Sequence, residues 1–116
     1  MSGLTTHVLD TSRGRPADGV RIDFSEVAAD GSIRLIRSVV TDRDGRARVV
    51  DDGDLRPGRF VLTFHAADYF RATGTGTTDP PFYDAIPVRF GVTELDRHYH
   101  VPLLVSPFGY VTYRGS

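Results

Sequence analysis

Apolar and polar residues alternate with a period of two along most of the chain. The segment VRIDFSEV (20–27) places Val20, Ile22 and Phe24 on one face, and RFVLTFH (59–65) does the same with its alternate phenylalanine and leucine residues. This period is typical of strands that bury only one of their two faces. We therefore predict strands, not helices, for most of the sequence.

Turn-forming residues separate these segments at short intervals. Glycine, proline and Asp-Gly pairs recur between the alternating runs, as frequent turns do in antiparallel sandwiches. We predict strands near 4–10, 20–27, 33–41, 46–50, 59–65, 86–92, 97–105 and 109–115. Only the segment 65–73 predicts a helix, a short one, and an exposed loop follows it. The expected fold is an all-β, eight-stranded antiparallel sandwich with one short helix.

Composition narrows the function mainly by exclusion. The chain has 116 residues, enough for a single domain over 1–116, and its net charge of -1 gives no sign of a nucleic-acid-binding surface. Without cysteine it can form neither a disulfide nor a thiolate zinc site. The N-terminus lacks the features of a signal peptide, and no apolar run reaches the roughly 20 residues of a membrane-spanning helix. We expect a cytoplasmic protein without a membrane partner.

Three histidines lie at informative positions on two predicted strands. In LTTHVLD, alternation places His7 on the face opposite to that of Val8. In HYHVPLL it places His98 and His100 together, opposite Tyr99. A single histidine of this kind is most often only solvated or satisfied, and the pairing of two on the less apolar face weakens that interpretation in favour of a site. The nearby proline predicts a sheet edge or a bulge.

An arginine and the C-terminus add further candidates. TDRDGRARV (41–49) predicts a hairpin through Asp-Gly, with Arg46 at the start of the returning strand. This arginine is either an exposed charge beside a turn or a fixed guanidinium that grips an anionic or carbonyl-rich ligand. The terminal YRGS brings Tyr113, Arg114 and the carboxylate of Ser116 within a few residues, either as surface packing or as part of a site.

Other kinds of site have little support in the sequence. The three histidines lack an acidic or cysteine partner at a recognised metal spacing, so we predict no metal. There is no G-x-S-x-G motif, no phosphate-binding loop and no cysteine nucleophile. The glycine-rich GTGTT does not lie between a strand and the start of a helix, which indicates a flexible loop.

Three segments together resemble a known family. The opening LTTHVLDTSRGRPADGV, the central TDRDGRA and the closing HYHVPLLVSPFGYVTYRGS resemble the transthyretin-like 5-hydroxyisourate hydrolases over essentially the whole chain. The terminal YRGS distinguishes these hydrolases from transthyretin, the hormone carrier of the same fold. The resemblance implies an eight-stranded sandwich and a homotetramer whose central channel holds the sites.

The resemblance also implies a set of functional residues. The family's catalytic positions fall on His7, Arg46 and His100. Its substrate-binding tail falls on Tyr113, Arg114 and Ser116. His98, on the same face as His100, remains a rival for the second histidine. Val111 departs from the family pattern, which has serine there, and lies next to the tail.

The implied reaction is hydrolytic opening of the six-membered ring of 5-hydroxyisourate in urate catabolism. Water attacks a ring carbonyl, and the product is 2-oxo-4-hydroxy-4-carboxy-5-ureidoimidazoline. Histidine suits the proton transfers because its ordinary pKa lies near 6.5, and arginine suits the developing negative charge because it is always cationic. No cofactor is implied. The alternative is a non-catalytic transthyretin-like carrier of a planar aromatic ligand.

Overall fold

The computed structural model describes residues 2–116 and contains ten strands and one helix in this range. The strands are β1 (Leu4–Asp10), β2 (Arg15–Pro16), β3 (Arg21–Val27), β4 (Ile33–Val40), β5 (Arg46–Val50), β6 (Gly58–His65), β7 (Ala85–Val92), β8 (Tyr99–His100), β9 (Leu103–Ser106) and β10 (Gly109–Thr112). The helix α1 spans Ala66–Thr73. The prediction of an all-β sandwich with one short helix is confirmed.

The strands form two sheets that enclose one core. One sheet has the order β4-β3-β6-β7 and is antiparallel throughout. In the other, β1 is central and pairs with β2, β5, β8 and β9, and β10 adds to the outer side of β9. The pairing of β1 with β8 and β9 is parallel, whereas we expected only antiparallel strands. Parallel pairing is possible here because the long connection between these strands crosses the other sheet.

The alternation of apolar and polar residues correctly predicted which faces of these strands are buried. Val20, Ile22 and Phe24 are at most 3% exposed, as the sequence predicted. In β1 the buried positions alternate with half-buried ones, so that Val8 faces the core and His7 faces away from it. This arrangement leaves one face of β1 available for a site.

The predicted strand 97–105 is interrupted at Pro102. Because proline has no N–H group to donate, the parallel ladder along β1 stops there and resumes at β9. Hydroxyl groups bind the free carbonyls of the gap: Thr6 Oγ1 donates to Val101 O over 2.6 Å, and Thr112 Oγ1 donates to Pro102 O over 2.8 Å. The last strand likewise ends earlier than predicted, at Thr112.

Among residues 2–116, every buried side-chain nitrogen and oxygen atom has a hydrogen-bond partner. Asp10 is 1% exposed, and its Oδ2 accepts the Tyr69 hydroxyl over 2.8 Å while Oδ1 accepts the Ser12 hydroxyl over 2.6 Å. A buried carboxylate with this many donors is stabilised where it lies. We assign Asp10 a structural role at the end of β1.

The helix is too short to cross a membrane. Among residues 2–116, none of the helical segments has the length and apolar character that a membrane span requires.

Candidate functional site

The predicted hairpin through Asp-Gly is not formed, because β4 pairs with β3 in one sheet and β5 pairs with β1 in the other. The segment is instead a tight turn between the two sheets that fixes the backbone of Arg46 against β1. Asp42 Oδ1 accepts the backbone N–H of Asp44 over 2.9 Å and that of Arg46 over 3.0 Å, which closes the turn. Gly45 has φ of 75°, and a Cβ there would lie 2.3 Å from Val8 O. Only glycine allows both this conformation and this close approach, so the turn sequence positions the arginine.

His7 lies directly opposite Arg46 in the antiparallel ladder between β1 and β5. Its Nε2 is 2.9 Å from the carbonyl oxygen of Asp44. Because a carbonyl only accepts, Nε2 carries the proton and donates it, which leaves Nδ1 as the acceptor when the ring is neutral. The turn before β5 therefore holds both the backbone of the arginine and the orientation of this imidazole.

His98 and His100 lie on the same side of the chain, as alternation predicted, and share one partner. The Thr5 hydroxyl is 2.8 Å from His98 Nε2 and 2.8 Å from His100 Nδ1. Thr5 pairs with His100 in the parallel ladder, one strand position before the gap at Pro102. Thr5 on β1 thus contacts two histidines that lie more than ninety residues later in the sequence.

The C-terminal tail closes against His100. Gly115 N donates to His100 O over 2.8 Å, and the two residues form an isolated antiparallel bridge. A Cβ on Gly115 would lie 2.6 Å from His100 Cδ2. The absence of a side chain at Gly115 therefore lets the tail lie flat on the imidazole and places Ser116 beside it.

These elements surround an open pocket of about 480 Å³, which we call the imidazole pocket. Its lining consists of Thr5, Thr6, Asp42, Arg46, Ala47, Arg48, His98, His100 and Ser116. His7 lies beside this lining, opposite Arg46 in the ladder. Three of the predicted residues, Arg46, His100 and Ser116, thus line one cavity, with the rival His98.

Burial and neighbouring cations lower the pKa of His100. Removal from water is the largest cause, and the positive charges of Arg46, His7 and His98 add to it. All of these effects disfavour the imidazolium form. His100 is therefore held neutral near pH 7, the form that can accept a proton.

Tyr113 and Arg114 lie on another side of the tail. They line a separate groove of about 230 Å³ together with residues of β7, and we call it the tail groove. The Arg114 guanidinium carbon is 4.4 Å from the centroid of the Tyr99 ring. The fold of the chain therefore brings Ser116 to the imidazole pocket but not these two residues.

The Tyr99 hydroxyl at the tail groove is held by backbone donors. It accepts the N–H of Glu94 over 3.0 Å and that of Thr93 over 3.1 Å. The hydrogen bond from Glu94 is the main cause that lowers the pKa of Tyr99. These contacts fix the ring on which Arg114 rests.

Sequence reasoning did not select Thr5, Asp42 or Arg48 for the site. Alternation places Thr5 on the face of His7, so a signal for it existed, but a threonine on a strand is ordinary. Asp42 is recognisable only as a turn residue, and Arg48 only as the next cation on the strand of Arg46. Among residues 2–116, no group of three or more His, Cys, Asp or Glu side chains is arranged to hold a metal ion.

Comparison with known proteins defines the class of this fold. The transthyretin of sea bream, solved in complex with thyroxine, superposes with a TM-score of 0.87 at 31% identity, covering 97% of this chain and 94% of that one. The chain is therefore a transthyretin-like β-sandwich.

The chain belongs to the HIUase/Transthyretin family, whose model matches residues 4–115. It is 50% identical over 115 residues to 5-hydroxyisourate hydrolase 2 of Rhizobium meliloti, covering 97% of this chain and 95% of the relative. The structure of the Klebsiella pneumoniae 5-hydroxyisourate hydrolase superposes with a TM-score of 0.83 at 33% identity, covering 100% of both chains.

Proposed function

We propose that this chain is an enzyme, a 5-hydroxyisourate hydrolase, and that the imidazole pocket is its active site. Relatives that carry this name match nearly the full length of the chain at 50% identity. The proposed reaction opens the six-membered ring of 5-hydroxyisourate and yields 2-oxo-4-hydroxy-4-carboxy-5-ureidoimidazoline, a step in urate breakdown.

The observation that carries this assignment is the convergence of basic groups from distant parts of the chain. His7 on β1 and Arg46 on β5 are ladder partners, and Arg46 and the neutral His100 on β8 line the same cavity. Groups of this kind fit a reaction that removes a proton from water and stabilises a negatively charged oxygen.

In the proposed mechanism His7 and His100 form the acid/base and water-positioning pair. One accepts a proton from water as the water attacks a ring carbonyl carbon, and a proton is returned to the ring nitrogen when the carbon–nitrogen bond breaks. His100 is suited to accept because its lowered pKa keeps it neutral. His7 positions water or the ring, since its Nε2–H is fixed by the Asp44 carbonyl and its Nδ1 remains an acceptor.

Arg46 supplies the permanent positive charge of the mechanism. Its backbone is fixed by the turn before β5, and the residue lines the imidazole pocket. Its proposed role is to stabilise the negative charge that develops on the carbonyl oxygen when water attacks the carbonyl carbon. The reaction uses protein side chains and water alone, and we propose no metal or organic cofactor.

The C-terminal tail is proposed to bind and orient the substrate. Ser116 lies at the imidazole pocket, whereas Tyr113 and Arg114 are exposed at the tail groove. We propose that the enzyme is a homotetramer in which these residues contribute to the completed site. The exposure of Val111 and Tyr113, at 59% and 56%, leaves apolar surface next to the tail for association.

Two further parts of the proposal concern partners and location. The small-molecule substrate is the ligand we propose, with neither nucleic acid nor membrane as a partner, and the cytoplasm as the location. A carrier role is not favoured, because the imidazole pocket has two imidazoles and two guanidinium groups in its lining. Such charged groups suit a reactive site better than a slot for an aromatic ligand.

The assay follows the ultraviolet absorbance of freshly generated 5-hydroxyisourate with and without the protein. We expect the protein to accelerate the decay, and Arg46→Gln to remove most of the acceleration. Arg71→Gln, on the exposed side of α1, is the matched control and is expected to retain it. A decay no faster than the spontaneous one would contradict the function. Unchanged turnover in Arg46→Gln and His100→Asn would contradict the site.

A further inference from the structure

The Thr5 hydroxyl connects the two histidines at the imidazole pocket. Both ring nitrogens, His98 Nε2 and His100 Nδ1, lie 2.8 Å from its oxygen. In the part of the chain that the structure describes, His100 Nε2 has no hydrogen-bond partner and remains free for water or substrate. Thr5 therefore contacts the side of His100 that is opposite to its reactive nitrogen.

The number of protons limits how these three groups bind to each other. A hydroxyl has one proton to donate and can accept further hydrogen bonds through its lone pairs. The two facing nitrogens therefore cannot both lack a proton without leaving one of them unpaired. For His100 to act as a base through Nε2, its Nδ1 must carry the proton and donate it to Thr5. The threonine then donates its own proton to His98 Nε2.

Asp52 favours this direction of hydrogen bonding. Its Oδ1 lies 3.8 Å from Nδ1 of His98, on the far side of that ring. A carboxylate at this position favours a proton on Nδ1 and leaves Nε2 as an acceptor. The groups then form an ordered series: Asp52, His98, Thr5 and finally His100.

The charged groups around the two rings also favour a positive charge on His98 over one on His100. His100 is half-buried and faces Arg46 and Arg48 from β5 and His7 from β1. The carboxylates that line or border this pocket are those of Asp42, Asp52 and the Ser116 terminus. His98 is 43% exposed and is next to Asp52. A positive charge is therefore better accommodated on the His98 ring than on the His100 ring.

We propose that Thr5 is a positioning residue that holds His100 as a base and passes its proton to His98. As His100 Nε2 takes a proton from water, the Nδ1 proton moves to Thr5 Oγ1, and the Thr5 proton moves to His98 Nε2. His100 stays neutral, and the imidazolium forms on His98 beside Asp52. This inference rests on the proposed function and extends it, because it assigns the base and gives His98 a role.

The test compares one substitution that keeps the shape of Thr5 with another that keeps its hydroxyl. Thr5→Val retains a β-branched side chain but loses the hydroxyl, whereas Thr5→Ser retains the hydroxyl. We expect Thr5→Val to lower kcat on the order of tenfold and to alter the acidic side of the pH profile, and Thr5→Ser to restore most of the rate. Thr63→Val on β6, outside the pocket, is the matched control.

A second measurement needs no turnover. Nitrogen-15 NMR of the free enzyme near pH 7 distinguishes protonated from unprotonated ring nitrogens. We expect a proton on Nδ1 of His100 and none on Nε2, with this preference lost in Thr5→Val. A proton on Nε2 of neutral His100 in the unaltered enzyme would overturn the proposal.

Substitutions of His98 and Asp52 test the same proton transfer independently of Thr5. His98→Gln and Asp52→Asn change exposed side chains, and we expect each to lower kcat several-fold and to shift the pH profile. Unchanged rates and pH profiles in both would overturn the relay while leaving the hydrolase assignment intact. If the unaltered protein fails to accelerate the decay of 5-hydroxyisourate, the proposed function is lost, and the tautomer measurement still decides the arrangement around Thr5.

Discussion

Gly115 and His100 are in direct contact, with the Gly115 N–H donating to the His100 carbonyl over 2.8 Å and no room for a side chain between them. The ring edge of His100 would lie 2.6 Å from any Cβ added to the glycine. The position of the imidazole thus depends on a residue next to the end of the chain. The glycine of YRGS has a defined steric role.

We therefore expect Gly115→Ala to reduce activity without a comparable loss of stability. The added methyl group must displace the ring or the tail, and a misplacement of about 1 Å is enough to cost on the order of 10²-fold in rate. Steady-state kinetics and urea unfolding measure the two effects. Gly76→Ala is the control, since a Cβ at Gly76 meets no atom within 4 Å. Equal kinetics for the two variants would contradict the steric role.

The titration of His100 provides a second prediction. Burial, Arg46 and the neighbouring imidazoles lower its pKa from the ordinary 6.5. Below pH 6.5 the unfolded chain takes up a proton that the folded ring resists, so this group reduces stability as the pH falls. NMR titration should give a midpoint below 6.5, and Arg46→Gln should raise it. A midpoint at or above 6.5 would contradict the described environment.

Removal of residues 113–116 should affect activity far more than folding. The strand β10 ends at Thr112, and the hydrogen bond from Thr112 Oγ1 to Pro102 O does not involve the removed residues. We expect the truncated chain to keep a cooperative unfolding transition and to lose most of its acceleration. Thermal unfolding and the absorbance assay measure these outcomes. A full rate in the truncated chain would mean that the tail only packs against the sheet.

Asp23 should contribute stability that is lost in acid. Burial tends to raise its pKa, but hydrogen bonds from Ser38, His65 and Arg21 outweigh burial and lower it from 3.8. Its contribution is therefore present above the unfolded pKa and disappears as the pH falls through the folded one. We expect Asp23→Asn to cost about 1 kcal/mol near neutral pH and less in acid. Urea unfolding across pH tests this.

The control for that experiment is Asp96→Asn, in the exposed loop before β8. It removes the same charge from a position without the three donors of Asp23. We expect no change in its acid unfolding beyond the small effect of net charge. A similar loss in both variants would mean that the Asp23 hydrogen bonds contribute nothing specific.

The sequence predicted the sheets better than it predicted their interruptions. Alternation identified the buried face of β1 and the side on which His98 and His100 lie, because a side-chain period of two is a local property. The break at Pro102 was expected only as an edge or a bulge. Its actual form depends on hydroxyl groups of Thr6 and Thr112 that are distant in the sequence.

The candidate site was predictable in the same uneven way. His7 and Arg46 were singled out from a motif and a turn, and the structure makes them ladder partners. Thr5 was missed because its importance arises from contacts with residues 93 and 95 positions away. The position of Arg114 depends on how the tail turns after β10, which alternation cannot predict.

The central position of β1 has a consequence for how the sequence of this protein can evolve. The strand that presents Thr5 and His7 is held on both edges, so its amides should exchange with solvent only when the whole domain opens. Mutations there threaten the fold as well as catalysis. New substrate preferences should therefore arise at the periphery of the imidazole pocket, at lining positions without a catalytic role such as Arg48, which can vary while the middle strand stays fixed.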